Sequence, residues 1–419
     1  MVEYKNIRGT HDLYGESLEK FAYVEEVTKK VASYYNFKEI RTPIIEYLQV
    51  FEKNIGDETA DIIGKEMYTF EDRSGDKIVL RPEGTAPVVR SLISEGLTHK
   101  LPLKYFYMGA MFRYERPQKG RQRQFHQLGF EYLGTNHYSS DVEMINLALD
   151  ILESLGITSY KLHINSLGSS ESLNAYKQAL VDFLQSKKNE LSEDSLNRLL
   201  KNPLRILDSK SPQDKEIIKD APKIADFLIK EDKEFFNKVK ESLTNLGISY
   251  TEDSNLVRGL DYYTHTVFEI ITDQLGSQGT LIAGGRYNNL IKQMGGNDTG
   301  AFGFAGGIER LALMLNAKKE SPKNIALITS AEDYNQYALT LAKKLREANF
   351  GATLILGKDV SNKLKKVEIA DFFCSIIIGD TEHSTGELTL KDVANREQFK
   401  VKEEALVEFL SSQYGKYKI

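Results

Sequence analysis

Residues 105–134 carry the sequence YFYMGAMFRYERPQKGRQRQFHQLGFEYLG, in which two apolar runs flank a cationic segment. The runs, Tyr105 to Phe112 and Phe125 to Leu133, both have the residue types and spacing of β-strands. The segment between them has five cations in eleven positions and contains Gly120, so a turn is expected there. The stretch therefore predicts an antiparallel hairpin with a basic tip. A solvated charged loop is the alternative interpretation of that tip.

Two polar side chains of the second run are predicted to share one face of this hairpin. Gln127 and Glu131 are four residues apart, and alternate residues of a strand point to the same side. Arg113 and Glu115 directly follow the first run. The hairpin would thus offer cations at its mouth and a carboxylate in its floor. Taken alone, Gln127 and Glu131 fit solvent-facing strand positions better than positions in a site.

The overall composition limits the classes of protein to which the chain can belong. At 419 residues, and with roughly 150 residues per domain, two to four domains are expected. No apolar run approaches the ~18 residues of a membrane span, and Met1 begins a polar segment, so neither a membrane protein nor a secretory signal is predicted. The net charge of −5 disfavours a nucleic-acid partner without excluding one. The single cysteine, Cys374, predicts a buried, unreactive thiol and fits a cytoplasmic protein.

The residues before the hairpin predict a helix and several strands. Apolar residues spaced by three or four favour a helix at 17–35, followed by an extended segment at 37–46. Pro43 restricts that segment to a strand edge or strand end. A hairpin is predicted at 67–80, because two strand patterns flank the turn Arg-Ser-Gly-Asp.

The motif RPEGT at residues 81–85 comes directly after this hairpin. It places a carboxylate and a hydroxyl, Glu83 and Thr85, on either side of Gly84, which suits the binding of an ammonium group. Thr85 could instead cap a helix that Pro87 starts, and both roles stay open.

The middle of the chain predicts a helix and a strand, followed by a charge-rich region with a helical pattern. A helix at 142–155 is predicted to begin with a capping box formed by Ser140 and Glu143, and a strand is predicted at 160–165. Residues 173–246 are rich in charge and have helical periodicity, which predicts a helical insertion.

Strands are expected to resume at 256–263 and 267–271. Nine glycines between Gly279 and Gly307 imply tight turns and close backbone approach. The stretch at 303–311 predicts a strand that turns into a helix.

Beyond Ser321-Pro322, strand and helix patterns alternate to the end of the chain. The predicted strands lie at 325–329, 353–356 and 375–379, and the predicted helices lie at 333–348, 362–373 and 403–410. Such alternation is typical of a small α/β domain with a largely parallel sheet.

Taken in order, these residues resemble the class II aminoacyl-tRNA synthetases. The likeness rests on the Pro43 segment, the hairpin with Phe112-Arg-x-Glu115, and the glycine-rich strand that leads to Gly307-Ile-Glu-Arg310. Within that class, residues 81–85 and the sequence LVRGLDYY at 256–263 resemble the histidyl-tRNA synthetases of bacterial type. The likeness covers essentially the whole chain.

The resemblance implies an α+β catalytic domain with a central antiparallel sheet flanked by helices, a helical insertion and a C-terminal α/β anticodon-binding domain. It places the catalytic domain at 1–170 and 251–320, the insertion at 171–250 and the anticodon-binding domain at 321–419. It also implies a homodimer formed in part by the Pro43 element.

The implied activity joins L-histidine to histidine tRNA in two steps. The histidine carboxylate attacks the α-phosphate of ATP, which gives histidyl-adenylate and pyrophosphate, and histidine is then transferred to the 3′ end of the tRNA. Mg²⁺ would accompany ATP, held by its oxygens and by water. No protein metal site is implied, since Ser192, Ser195 and Ser209 stand where some relatives carry cysteines.

The resemblance also assigns site residues position by position. The catalytic cations would be Arg113, Arg258 and Arg310. The ATP site would comprise Arg113, Glu115, Arg121, Phe125 and Arg310. The histidine site would comprise Glu83, Gly84, Thr85, Gln127, Glu131, Arg258, Tyr262 and Tyr263. Arginine forks suit phosphate oxygens, while a carboxylate and a phenol suit the two nitrogens of a neutral imidazole.

Three other functions compete with this one. The regulatory subunit of ATP phosphoribosyltransferase is a catalytically inactive paralogue, but it typically lacks the anticodon-binding domain and the arginines kept here at 113, 258 and 310. A synthetase for another amino acid is disfavoured by Glu131 together with Tyr263. An RNA-binding protein without chemistry would not need these arginines. His11 stands where glutamine is more usual in the family, which leaves its local role open.

Overall fold

The predicted basic hairpin forms the second and third strands of an eight-stranded sheet in the computed structural model. The structure describes residues 4–52, 66–209, 211–257, 262–315, 324–369 and 372–414. The chain forms two compact units, Met1–Ala317 and Lys318–Ile419. None of the helices in the described ranges is long and apolar enough to cross a membrane.

The strands and helices are numbered here in chain order. The strands are β1 (Lys38–Glu39), β2 (Ile45–Tyr47), β3 (Tyr68–Glu71), β4 (Lys77–Leu80), β5 (Leu103–Phe112), β6 (Gln124–Leu133), β7 (Lys161–Ser166), β8 (Thr251–Glu252), β9 (Thr264–Ile271), β10 (Thr280–Arg286), β11 (Ala301–Gly307), β12 (Asn324–Thr329), β13 (Ala352–Leu354), β14 (Phe372–Ile378), β15 (Glu387–Asp392) and β16 (Gln398–Lys402). The helices are α1 (Glu16–Tyr34), α2 (Gln49–Glu52), α3 (Thr85–Ser94), α4 (Tyr138–Ser154), α5 (Ser170–Ser186), α6 (Glu193–Lys201), α7 (Pro212–Ile218), α8 (Lys230–Asn245), α9 (Leu290–Gln293), α10 (Ile308–Met314), α11 (Asn335–Glu347), α12 (Val360–Ile369), α13 (Asp380–Thr385) and α14 (Leu406–Tyr414).

The large sheet has the strand order β1-β5-β6-β11-β10-β9-β7-β8. Its inner pairs are antiparallel, and the two edge pairs, β1 with β5 and β7 with β8, are parallel. The predicted antiparallel sheet is therefore confirmed for the centre, and the short edge strands make the sheet mixed.

Successive side chains of β6 point to opposite faces of this sheet. Leu128 and Phe130 are buried in the main core with the apolar sides of α1, α4 and α8. Gln127 and Glu131 lie opposite Gly109 and Tyr105 of β5 and share the other face, as their spacing predicts. One face thus forms the core, and the other is left for a site.

Two local predictions in this unit are wrong. Helix α4 begins earlier than predicted: its N-cap is His137, whose ring accepts from the backbone N–H of Ser139, so Ser140 and Glu143 form no capping box. Glu143 instead pairs with Lys104. The strand predicted at 256–263 is also absent from its described part, since β9 begins at Thr264 and residues 258–261 lie outside the described ranges.

The second unit has a five-stranded sheet in the order β13-β12-β14-β15-β16. Only the first three strands are parallel. Strand β15 pairs antiparallel with β14, and β16 pairs antiparallel with β15, so the prediction of a largely parallel sheet is only half correct. Phe372 and Phe373 belong to β14 rather than to the preceding helix. The boundary predicted at Ser321-Pro322 lies outside the described residues. Cys374 is fully buried, and burial raises the pKa of its thiol to about 12, which confirms an unreactive cysteine.

The region predicted as a helical insertion contains α5 to α8. Its own core is formed by leucine and isoleucine side chains of α5, α6 and α7. In addition, three of its serines converge on one buried carboxylate. Asp214 accepts hydrogen bonds from the hydroxyls of Ser192, Ser195 and Ser209 at 2.6, 2.7 and 2.6 Å, and from the backbone N–H of Ser192 at 2.8 Å. These four bonds tie the start of α6 and Ser209, three positions ahead of α7, to α7 itself.

We expect Asp214→Ala to destabilise the insertion locally. Three buried or half-buried hydroxyls would lose their acceptor, and an unpaired buried polar group costs about 1–3 kcal/mol. Amide hydrogen exchange in α6 and α7 should accelerate on the order of 100-fold, while exchange in β5 and β6 stays unchanged. Asp226→Ala, an exposed aspartate of the same region, is the matched control. Equal protection in both variants would contradict the structural role of the cluster.

Candidate active site

A cavity of about 600 Å³ lies against the free face of the large sheet. Side chains from β6, β9, β10 and β11 form its floor, and the basic loop between β5 and β6 forms one wall. Ten of the predicted site residues line it: Glu83, Thr85, Arg113, Glu115, Arg121, Phe125, Gln127, Tyr262, Tyr263 and Arg310. Four segments distant in sequence therefore meet at one site.

The remaining predicted residues have different positions. Glu131 is fully buried directly beneath the cavity rather than in its lining, because Thr85 covers it. Gly84 directly precedes helix α3 as its N-cap. Arg258 lies outside the described residues, so its predicted role stays a prediction.

Three arginines gather at one end of the cavity. Arg310, in the first turn of α10, donates to the backbone carbonyls of Gly120 and Thr280, both at 2.9 Å. Burial, together with the nearby cations Arg121 and Arg113, lowers the pKa of Arg310. Like charges held this close repel one another, so this end of the cavity favours an anion.

The side chain of Arg113 is held in place from two sides. Its Nε donates to the carbonyl of Pro82 at 2.9 Å, and its guanidinium lies 5.2 Å from the centre of the Phe125 ring. Burial lowers the pKa of Arg113, but an arginine stays protonated at neutral pH. One edge of the fork is thus used by the protein, and the planar group can present its remaining donors to a ligand.

Glu115 and Arg121 form an ion pair at the base of the basic loop. Glu115 is buried, and Arg113 approaches its other carboxylate oxygen at 4.0 Å. The ion pair between Glu115 and Arg121 holds the basic loop in place. Glu115 thus contacts both Arg121 and Arg113 in this structure.

Carboxylates and hydroxyls gather at the other end. Glu83 accepts from the backbone N–H groups of Thr85 and Ala86 at 2.7 and 2.8 Å, and therefore caps helix α3 with its side chain. The N-cap position is Gly84, so the alternative in which Thr85 caps the helix is wrong. The Thr85 hydroxyl instead donates to Glu131 Oε1 at 2.7 Å.

Glu131 is the most deeply placed charge of the site. Its second carboxylate oxygen accepts from the hydroxyl of Tyr287. Burial raises the pKa of Glu131 to about 8, against the opposing effect of the Tyr287 and Thr85 hydroxyls. Gly303 of the neighbouring strand leaves room for it, since a Cβ there would lie 1.9 Å from Glu131 Oε2.

Aromatic rings enclose this carboxylate end. Tyr262 and Tyr263 have their ring centres 4.8 Å apart, and Tyr287 meets Tyr262 edge-on at 5.6 Å. Gln127 lies on the same strand face as Glu131, and its Oε1 is buried without a hydrogen-bond partner in the described part of the chain. A ligand with donor groups would satisfy this oxygen.

Several residues of the site were not predicted from the sequence. Tyr287 directly follows the glycine-rich strand β10. Glu309 accepts from the backbone N–H and the ring Nδ1 of His126 at 2.9 and 2.8 Å and so joins α10 to β6. Leu207 and Asp208 bring the helical insertion to the cavity wall. None of these contacts has a local signal, because each depends on segments that are far apart in sequence.

Comparisons with known proteins agree with this geometry. A family model described as Histidyl-tRNA synthetase matches residues 9–311, and one described as Anticodon binding domain matches residues 322–413. Two proteins named Histidine--tRNA ligase are similar over nearly their whole length. The one from Wolbachia pipientis subsp. Culex pipiens is 47% identical over 96% of this chain and 99% of its own, and the one from Gluconobacter oxydans is 45% identical over 97% and 98%.

A solved structure gives the same result. The crystal structure of apo S. aureus histidyl-tRNA synthetase has a TM-score of 0.82 and 36% sequence identity, and the similarity covers 97% of this chain and 99% of that one. A structure titled as an ATP phosphoribosyltransferase regulatory subunit/histidyl-tRNA synthetase from Bacillus halodurans C is 22% identical with a TM-score of 0.67, which shows a common fold alone. With its fold, its cavity and both family models in agreement, the chain belongs to the histidyl-tRNA synthetase family.

Proposed function

We propose that this chain activates L-histidine with ATP and transfers it to histidine tRNA. The observation that carries the proposal is the division of one cavity into an arginine end and a carboxylate end. Arg113, Arg121 and Arg310 suit a triphosphate, and Glu83, Gln127 and Glu131 suit an amino acid with an ammonium group and a ring N–H. Family membership supports the same reaction.

The first step needs positioning and positive charge rather than a protein nucleophile. An oxygen of the histidine carboxylate forms a bond to the α-phosphorus of ATP while the bond from that phosphorus to the bridging oxygen breaks, and pyrophosphate leaves. Both reacting groups are anionic, so a fixed cation between them lowers the barrier. Arg113 belongs to the arginine end of the cavity and is proposed for this role, with Arg258 and Arg310 as further cations.

In the second step, a hydroxyl of the terminal tRNA ribose attacks the carbonyl carbon of the adenylate. An ester forms, the bond from that carbon to the phosphate oxygen breaks, and AMP leaves. Binding of tRNA is supported by the second unit, which matches the anticodon-binding family model. The basic loop between β5 and β6 adds cations at the mouth of the cavity.

The remaining ATP contacts are proposed for Glu115, Arg121 and Phe125. Phe125 lies under the Arg113 guanidinium and offers a ring face for the adenine. Mg²⁺ is proposed to bind with ATP. No group of three metal-ligating side chains occurs in the described ranges, and Glu115 and Glu309 are paired with Arg121 and His126. Phosphate oxygens and water would therefore supply most of its ligands.

Histidine is proposed to bind at the carboxylate end. Glu83, Gly84, Thr85 and Gln127 would surround the ammonium group, Glu131 and Tyr263 would contact the imidazole, and Tyr262 would pack beside them. A site whose buried polar groups pair only with an imidazole can reject other amino acids by about 10⁴–10⁵. The regulatory-subunit alternative is not favoured, because the described arginines and the anticodon-binding unit are both present.

We also propose a homodimer and the domain limits 1–170, 171–250, 251–320 and 321–419. The small sheet β2-β4-β3 supports the dimer, since Ile45, Tyr47 and Phe70 share one apolar face and are 45–53% exposed. Helix α8 packs into the main core, so packing does not mark a boundary near residue 250. The cytoplasm is the proposed compartment, where a free thiol such as that of Cys374 stays reduced.

Arg113→Ala should reduce histidine-dependent ATP–pyrophosphate exchange with little effect on folding. Removing one preorganised donor to developing charge costs about 3–4 kcal/mol, so kcat should fall by about 10²–10³. The thermal midpoint and circular dichroism should stay near those of the unmodified chain. Arg73→Ala, an exposed arginine in the turn between β3 and β4, is the control and should retain full exchange. If Arg113→Ala kept normal kcat, the proposed role of the arginine end would fail.

The rate of histidine activation should depend on pH through Glu131. Its pKa is raised to about 8, so the carboxyl is mostly protonated at pH 7 and becomes an acceptor as pH rises. The value of kcat/KM for histidine should therefore increase about eightfold between pH 7 and 8.5. In Glu131→Gln this increase should vanish and KM should be high throughout. An unchanged pH profile in the variant would show that another group titrates.

Phe70→Asp should convert a dimer to a monomer. A charge on the apolar face of the small sheet would have to be desolvated in an interface there. Sedimentation velocity at micromolar concentration should show the dimer for the unmodified chain and the monomer for the variant. Thr69→Asp is the matched control, because Thr69 is exposed on the opposite face of the same strand. A dimer that persists in Phe70→Asp would place the interface elsewhere.

A further inference from the structure

Arg81, the first residue of the RPEGT motif, lies where the small sheet meets the large one. It directly follows β4, and its backbone N–H donates to the carbonyl of Ile44, which precedes β2, at 2.9 Å. Its backbone carbonyl accepts from the N–H of Phe112, the last residue of β5, at 3.0 Å. The main chain of Arg81 is therefore bonded to both sheets.

The side chain of Arg81 joins the same two parts of the chain and is buried. In the described ranges, Nη1 donates to the carbonyl and to the hydroxyl of Thr42, both at 2.9 Å, and Nε donates to the carbonyl of Ala110 in β5 at 3.0 Å. A guanidinium is planar, and its donors point in fixed directions. These bonds therefore set the distance between the Thr42 segment and β5.

Strand β5 leaves space for this guanidinium. A Cβ at Gly109 would lie 2.5 Å from Arg81 Nη2, so a larger residue at that position would displace the side chain of Arg81. Gly109 lies opposite Gln127 of β6, a residue that lines the cavity. The guanidinium is thus held against the sheet beside the site.

The acceptors of these side-chain bonds are all uncharged. Burial lowers the pKa of Arg81, with the negative charges of Glu46 and Glu83 among the effects that oppose the shift, and an arginine stays protonated at neutral pH. A buried cation contributes little to stability unless it is closely paired, and an apolar side chain of similar volume is often as stable. Stability alone therefore does not require a guanidinium at this position, and its fixed geometry is what it adds.

The residue after Arg81 carries the acceptor that orients Arg113. Nε of Arg113 donates to the carbonyl of Pro82 at 2.9 Å. Arg113 also directly follows Phe112, whose N–H is bonded to the carbonyl of Arg81. Arg81 thus holds both the backbone from which Arg113 extends and the peptide that orients the Arg113 side chain. A misplacement of about 1 Å at a site can lower a rate by about 100-fold.

We infer that Arg81 is a positioning residue for Arg113 in the activation of histidine. The inference rests on the proposed function, because it takes Arg113 as the cation that acts on the reacting phosphate. Among the described residues, Arg81 is not part of the cavity lining, whereas Arg113 is. Arg81 therefore acts through Pro82 and β5 and does not touch the substrates.

Arg81→Lys tests this role because it keeps the positive charge and removes the planar fork. Histidine-dependent ATP–pyrophosphate exchange and the thermal midpoint would be measured for the substitution in the unmodified chain and in Arg113→Ala. In the unmodified chain we expect kcat to fall about 10- to 100-fold, with KM for histidine within about threefold. In Arg113→Ala the same substitution should change kcat by less than about twofold, because the side chain through which it acts is absent. Any fall in the thermal midpoint should be equal in the two backgrounds.

Thr42→Val is a milder second variant that keeps the test decisive if Arg81→Lys does not fold. It preserves the shape of the side chain and removes the hydroxyl that accepts from Arg81. We expect kcat to fall about threefold to tenfold in the unmodified chain and to stay unchanged in Arg113→Ala.

Arg346→Lys is the matched control. Arg346 lies in α11 of the second unit, and its Nε and Nη2 donate to the carbonyl of Ala352 at 3.0 and 2.6 Å. The same loss of a fork there should leave kcat for exchange unchanged.

Two results would overturn the positioning role of Arg81. One is a normal kcat in Arg81→Lys or, where that variant does not fold, in Thr42→Val. The other is an equal proportional fall in kcat with and without the Arg113 side chain, because Arg81 would then support the fold in general. If the unmodified chain shows no histidine-dependent exchange, the proposed function and the positioning role both fail. Normal exchange in the unmodified chain together with either of the first two results refutes the positioning role alone.

Discussion

The cost of burying charge is the constraint on which this structure depends. Glu131 has no exposed surface, and an isolated carboxylate there would be strongly destabilising. Its two oxygens are satisfied by the hydroxyls of Thr85 and Tyr287, which arrive from the start of α3 and the end of β10. Even so, burial raises its pKa to about 8. The two hydroxyls thus offset only part of the cost of burying the Glu131 charge, and an N–H group of a ligand would offset more of it.

The same constraint explains why the cavity has two chemically different ends. Carboxylates and arginines placed together would neutralise one another, and neither could bind substrate. Here Glu83 is bound by backbone N–H groups and Glu131 by hydroxyls, so neither uses an arginine. Arg113 and Arg310 donate to backbone carbonyls, which do not cancel their charge. Glu115 is the carboxylate of the arginine end, paired with Arg121 and 4.0 Å from Arg113.

The features that follow from local periodicity could be predicted from the sequence. The alternation of β6 was sufficient to put Gln127 and Glu131 on one face, and the strand at 301–307 runs into a helix as its pattern indicates. Prediction failed where tertiary contacts override local signals. Ser140 and Glu143 match a capping box, but α4 begins at Tyr138 and Glu143 is drawn to Lys104. Thr85 resembles a cap, but a buried carboxylate 46 residues away is its acceptor.

In the insertion, as in the site, buried polar side chains are paired by hydrogen bonds. Leu207 and Asp208 form part of the cavity wall, and Ser209 beside them donates to Asp214. Ser192 and Ser195 share that acceptor, and hydrogen bonding holds the pKa of Asp214 below its usual range despite burial. If the three serines moved apart, the buried carboxylate of Asp214 would lose the hydrogen bonds that stabilise its charge. The segment that reaches the cavity is therefore ordered by the same chemistry that orders the cavity itself, in which hydroxyls surround a buried carboxylate.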